Sequence, residues 1–167
     1  MLLYLHRFGW FIGLVLVQVL VLNQMHIDGY ATPFLYIYFI LQFNSRTGRN
    51  EMMLWSFALG LAVDMFSNTP GMNAAAVTCA AFFRTPLLRL VTLRDMDEAF
   101  YPGVKSLGLG AYIRFIILCS SLFCLVFWMI DVLSFSNLLS LIGRIVTSTL
   151  TTVICILCMD AIRRDKA

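Results

Sequence analysis

Leu107-Gly108-Leu109-Gly110-Ala111-Tyr112-Ile113-Arg114-Phe115-Ile116-Ile117-Leu118-Cys119-Ser120-Ser121-Leu122-Phe123-Cys124-Leu125-Val126-Phe127-Trp128-Met129-Ile130-Asp131-Val132-Leu133-Ser134-Phe135 is a run of 29 residues in which only Arg114 and Asp131 carry charge. A helix needs about 20 apolar residues to cross the roughly 30 Å hydrocarbon core of a bilayer. This run exceeds that length, and a second, Leu138–Ile162, follows after Ser136-Asn137. The whole chain shares the bias: 167 residues, 60% hydrophobic and 13% charged, with a mean hydropathy of +0.86. Soluble domains are nearer a quarter charged. The longest charge-bearing gap runs from about Arg94 to Lys105, too short for a separate aqueous domain. These features exclude a soluble enzyme or a nucleic-acid binder and point to one all-α integral membrane domain.

Working outward, six hydrophobic segments are expected: Phe8–Ile27, Ala31–Phe43, Met52–Phe66, Met72–Val91, Leu107–Phe135 and Leu138–Ile162. The second and third are short, reaching about 20 Å at 1.5 Å per residue unless they recruit their flanks. The first is read as a retained helix rather than a cleaved signal, because Asn23-Gln24-Met25-His26 follows it where small residues would be needed. Alternate gaps differ sharply in charge. Asp28-Gly29-Tyr30, Ser67–Gly71 and Ser136-Asn137 contain no Lys or Arg. Arg7, Arg46, Arg49, Arg89, Arg94, Lys105, Arg163, Arg164 and Lys166, nine of the twelve basic residues, fall on the other side. The positive-inside rule makes that side cytoplasmic, with both termini inside, as for an inner-membrane protein.

Charged groups within the apolar segments each need a partner or a route to water. Asp64, Asp131 and Arg144 lie at similar depths near the outer face. They are read as a structural pairing of Arg144 with Asp131 or Asp64, against the alternative of an ion or substrate relay. Arg84, two residues before Pro86, is expected to reach the inner interface where the helix bends. Arg114 is close enough to its helix end to snorkel, and Asp160 stands beside Arg163 and Arg164. Gly9 and Gly13, Gly71 and Ala75, and Ala76 and Ala80 put small residues four apart, the spacing that lets helices approach. Cys155 and Cys158 have C-x-x-C spacing, but no second pair accompanies them, and His6 and His26 are expected on opposite faces. Neither a metal nor a redox site is supported, no nucleophile–base pair can be named, and no cofactor is implied.

The most distinctive stretch is Gly60-Leu61-Ala62-Val63-Asp64-Met65-Phe66-Ser67-Asn68-Thr69-Pro70-Gly71. Asn68, Thr69, Pro70 and Gly71 end one helix and begin the next. This stretch resembles the signature of the rod shape-determining protein MreD family, in which a Gly-Leu-x-x-Asp helix end leads into a polar, Pro- and Gly-containing turn and a small-residue helix. Phe83-Arg84-Thr85-Pro86 is similar to that family's Arg-Pro pattern, with Thr85 intervening. The motif covers about Gly60–Pro86, while length, segment count and short loops match more widely.

The resemblance implies a noncatalytic membrane scaffold of the bacterial cell-elongation machinery. It would bind MreC and, through it, link MreB and the peptidoglycan polymerase and transpeptidase; a homo-oligomer within such a complex is compatible. It also implies a six-helix fold similar to the substrate-binding subunit of energy-coupling-factor transporters. That similarity keeps open the alternative of a small-molecule, vitamin-like uptake subunit, since interrupted short segments can mark a substrate site.

Overall fold

A computed structural model of the protein describes the backbone of residues 2–22, 33–92, 100–131 and 138–165, and the side chains of 8–20, 33–92, 100–131 and 141–162. The expected loops Asp28–Tyr30 and Ser136-Asn137, together with Arg94 and Lys166, lie outside the described residues. Every regular element among those described is helical. α1 (Leu2–Val17) continues into a π-helical turn, Gln18–Leu22. Then come α2 (Ile37–Leu41), α3 (Arg49–Ser67), α4 (Met72–Val91), the single turn α5 (Val104–Leu107), α6 (Leu109–Asp131) and α7 (Leu138–Asp165).

Among the described residues, three helices are long and apolar enough to cross a bilayer: Met72–Val91, Leu109–Asp131 and Leu141–Ile162 within α7. The chain is thus an all-α membrane-embedded protein, but six full-length spans are not what the helices provide. α3 has the length, yet it opens on Arg49-Asn50-Glu51, which lowers its apolarity. The described apolar part of the first helix is Phe8–Leu20. The largest correction concerns the expected span Ala31–Phe43. Its described part is helical only over the five residues of α2, about 8 Å of rise, flanked by turns.

That short segment is the centre of the molecule. Residues 33–41 and Phe43 are all buried, Tyr36 and Tyr38 completely. It runs antiparallel to α1. Gln18 bonds to Pro33 and Leu35 at one end, while Trp10 and Phe11 meet Tyr38 and Phe39 at the other, with ring centroids 6.2 and 6.1 Å apart. Around it, α4 packs against both α3 and α6, and α7 against α6. Phe34, Tyr36, Phe123 and Phe127 fill the space between the segment and α6, with centroid separations of 4.9 Å for Phe34–Phe123 and 4.8 Å for Phe34–Phe127. Tyr112 and Trp128 are buried in this packing as well.

The start of α1 and the end of α7 lie at the same end of the bundle. Met159 lines an apolar cleft of about 510 Å³ with Gly9, Trp10 and Gly13, and the Tyr38 hydroxyl donates to Asp160 at 3.4 Å. The loop carrying Arg46 is tied to the loop before α5 by Ser45 N–H to the Phe100 carbonyl, 2.9 Å, and Phe100 N–H to Ser45 Oγ, 3.1 Å.

Candidate functional site

The motif stretch forms the joint between α3 and α4. α3 ends at Asn68, which adopts a left-handed conformation with φ 55°. Gly71 then opens α4 with φ 80°, a backbone state that only glycine adopts without strain. Between them the chain reverses over Thr69-Pro70. Gly60 sits two turns before the end of α3, where the two helices come closest. A Cβ placed on it would lie 2.5 Å from the Ala74 Cα and 2.7 Å from both the Ala74 nitrogen and Val77 Cγ1. Only a residue without a side chain permits that approach.

Asp64 completes the joint. Its carboxylate is 5% exposed and accepts four hydrogen bonds. Oδ1 receives Thr69 Oγ1–H at 2.9 Å, Asn73 N–H at 3.0 Å and the Asn73 side-chain amide at 2.9 Å; Oδ2 receives Ala74 N–H at 2.9 Å. The first turn of a helix carries unsatisfied N–H groups and partial positive charge, so a carboxylate is the natural acceptor there. Asp64 thus caps α4 from the preceding helix. Asn73 relays the network inward, accepting the Tyr36 hydroxyl at 2.6 Å. The joint is thereby bonded to the central segment.

The three charged groups of the expected pairing sit in different surroundings. Asp64 is engaged with the start of α4, accepting from Thr69, Asn73 and Ala74. Arg144 lies with its guanidinium 5.2 Å from the Trp128 ring centre, and Asp131 is exposed at the end of α6. Arg84 departs from expectation. It is 1% exposed, and α4 continues unbroken through Pro86. Rather than reaching water, its guanidinium donates to the Leu41 carbonyl at 3.4 Å and to the Phe43 carbonyl. Those carbonyls lie at the end of α2 and just beyond it, where a helix carries partial negative charge.

At its other end the segment is held by residues that the sequence did not single out. Gln18 donates to the Pro33 carbonyl at 2.9 Å and accepts Leu35 N–H at 3.0 Å, while Thr152 on α7 accepts Phe34 N–H at 3.1 Å. Gln18 interrupts the otherwise apolar stretch Phe8–Leu22, and that isolation was a legible signal. Thr152 lies in the polar-flecked stretch Thr147-Ser148-Thr149-Leu150-Thr151-Thr152 and carried no such mark. Irregular backbone at membrane depth is tolerated only when protein groups satisfy it. Gln18, Thr152 and Arg84, drawn from three helices, do that here, while Asn73 holds the Tyr36 hydroxyl.

The small-residue pairs fall out unevenly. Ala76 and Ala80 are buried against the core, whereas Gly71 and Ala75 are exposed, and a Cβ at Gly71, Gly9 or Gly13 would touch nothing within 4 Å. The close contact belongs to Gly60. On α7, Cys155 is half-buried and Cys158 exposed. Among the described residues, no group of three or more His, Cys, Asp or Glu side chains converges. The polar groups of this site join helices and close backbone ends, so what the arrangement can do is hold shape. Comparison with family models, curated proteins and solved structures returns no match.

Proposed function

We propose that this protein is a noncatalytic scaffold of the MreD type, placed in a bacterial inner membrane with both termini in the cytoplasm, where it binds MreC and so helps control peptidoglycan synthesis and cell shape. One observation carries the reading. The residues of the family-like stretch, Gly60, Asp64, Asn68, Thr69 and Gly71, act together in a single joint, each with a conformational or bonding task. A motif used up in setting the angle between two helices suits a protein whose product is a surface. The nine-to-zero charge split supports the orientation, and exposed apolar positions such as Leu54, Leu61, Leu150 and Ile154 offer helix faces to partner helices within the bilayer.

The alternative of a vitamin-like uptake subunit draws on the interrupted second segment, the kind of element that lines transporter sites. Against it, the polar groups around that segment are spent on its own backbone, and aromatic rings occupy the space beside it. Co-purification from mild detergent separates the two. A scaffold brings MreC at near-equal stoichiometry. Recovery of a small organic ligand or an energising module, with no MreC at matched expression, overturns the proposal in favour of uptake.

A further inference from the structure

One outward face of the bundle carries two guanidinium groups and no described carboxylate. Arg49 opens α3, and its guanidinium lies 4.8 Å from the centre of the Phe82 ring on α4. Arg89 follows Phe82 by seven residues, two helical turns, so the two project from the same side of α4. Phe82, Phe83, Pro86, Arg89 and Leu90 are all exposed and fall within one third of the helix circumference. Glu51 is two positions from Arg49, which places it on another face of α3. Arg84 turns inward to the carbonyls of Leu41 and Phe43. Arg46, Lys105 and Arg114, also exposed, belong to the same basic end of the bundle and raise its positive field.

A guanidinium beside an apolar stripe is costly unless an anion accompanies it. Arg49 is steadied by an aromatic ring rather than by a carboxylate, which leaves its charge available to an outside partner. We infer that this α3–α4 face binds an anionic phospholipid, with Arg49 and Arg89 on the headgroup phosphate and an acyl chain along Phe82 and Phe83. The combination selects the ligand class. A soluble phosphate would satisfy the cations but has no use for the apolar stripe, and a zwitterionic lipid carries an ammonium that opposes the local field. Basic positions at the cytoplasmic ends of membrane helices recognise anionic headgroups on these grounds. The inference is independent of whether the protein binds MreC.

The test uses the whole protein in mild detergent, titrated with phosphatidylglycerol or with phosphatidylcholine of the same chains. Retained lipid is read by native mass spectrometry and stability by thermal melting. The wild type should retain phosphatidylglycerol preferentially. Arg49→Gln and Arg89→Gln should each weaken retention about fivefold, and the double variant about thirtyfold, with Arg49→Lys keeping most of it. Phe82→Leu preserves both charges and the apolar surface and should weaken retention about two- to fivefold; it is the deciding variant if the double change does not fold. Equal retention of the two lipids by the wild type, or undiminished phosphatidylglycerol retention in either the double variant or Phe82→Leu, overturns the inference. Equal stabilisation by free glycerol phosphate also overturns it, assigning the cations to a soluble anion.

Discussion

At the scale of single residues, Gly60 and Gly71 are both glycines of the motif, but for different physical reasons, and their variants should separate. Gly60 is required by contact: an added methyl meets backbone atoms at 2.5 and 2.7 Å, which cannot rotate away. Gly60→Ala should therefore push α3 from α4 and destabilise the protein by about 1–3 kcal/mol, the range for overpacking a tight interior. Gly71 is required by conformation: φ is 80° with open space around it. Gly71→Ala should cost about 1 kcal/mol through left-handed strain, with little effect on helix separation. Thermal melts of the two variants, joined with cross-linking between α3 and α4, check the contrast; equal helix separation in both would refute it. Asp64→Ala should be as severe as Gly60→Ala, about 2 kcal/mol, because it strands the Asn73 and Ala74 N–H groups at a buried helix start. Asp64→Asn keeps one acceptor oxygen and should fall between. Arg144→Leu should remove the contact with the Trp128 ring and leave the stability contributed by Asp64 intact, since Asp64 accepts its four hydrogen bonds from Thr69, Asn73 and Ala74. A rescue of Arg144→Leu by Asp64→Asn would restore the charge-pair reading.

At the scale of elements, the long apolar helices were legible and the central segment was not. Met72–Val91 agrees with α4 end for end, and Leu109–Asp131 lies inside the expected Leu107–Phe135, because an unbroken apolar run of that length has few alternatives. Ala31–Phe43 reads the same from composition whether it crosses the bilayer or folds into a short buried turn of helix. What decides between them is whether other helices supply partners for its backbone, and those partners lie 15 to 118 residues away in the chain. The depth of Asp64 could be seen in the sequence, but not that its donors stand nine and ten residues ahead. The segment yields a prediction of its own. Arg84→Met preserves volume but removes the donor to the Leu41 and Phe43 carbonyls, and Gln18→Leu removes the partner of the Pro33 carbonyl and Leu35 N–H. Each should destabilise by about 2–3 kcal/mol and increase amide exchange within 34–43 while that of α6 changes little. Uniform loss of protection across all helices would show that the segment is not a separately pinned unit.

At the scale of the whole molecule, most of the described basic residues gather at one end because the elements alternate in direction, and the second segment takes part in that alternation without being a full span. α1 and α2 run antiparallel, α3 and α4 reverse at Asn68–Gly71, and Arg46, Arg49 and Lys105 return to the end where α7 finishes. Topology reporters should then depend on how they are attached. A reporter inserted at Gly48 of the full chain should lie on the same side as one at the C-terminus, and opposite to one at Asn68. A reporter fused to a chain truncated at Gly48 should behave differently. That fragment lacks Arg84 and Thr152, which bond the segment's backbone, and Asn73, which holds the Tyr36 hydroxyl, so its second segment would carry unpaired polar groups into lipid, at several kcal/mol for each group. It has too few helical residues to satisfy them itself. The truncated fusion should therefore give a mixed or inverted signal, which the uninterrupted chain corrects once α4 and α7 are made. Matching signals from truncation and insertion would mean that the segment crosses by itself, and the assignment of Arg84, Asn73 and Thr152 as its supports would have to be withdrawn.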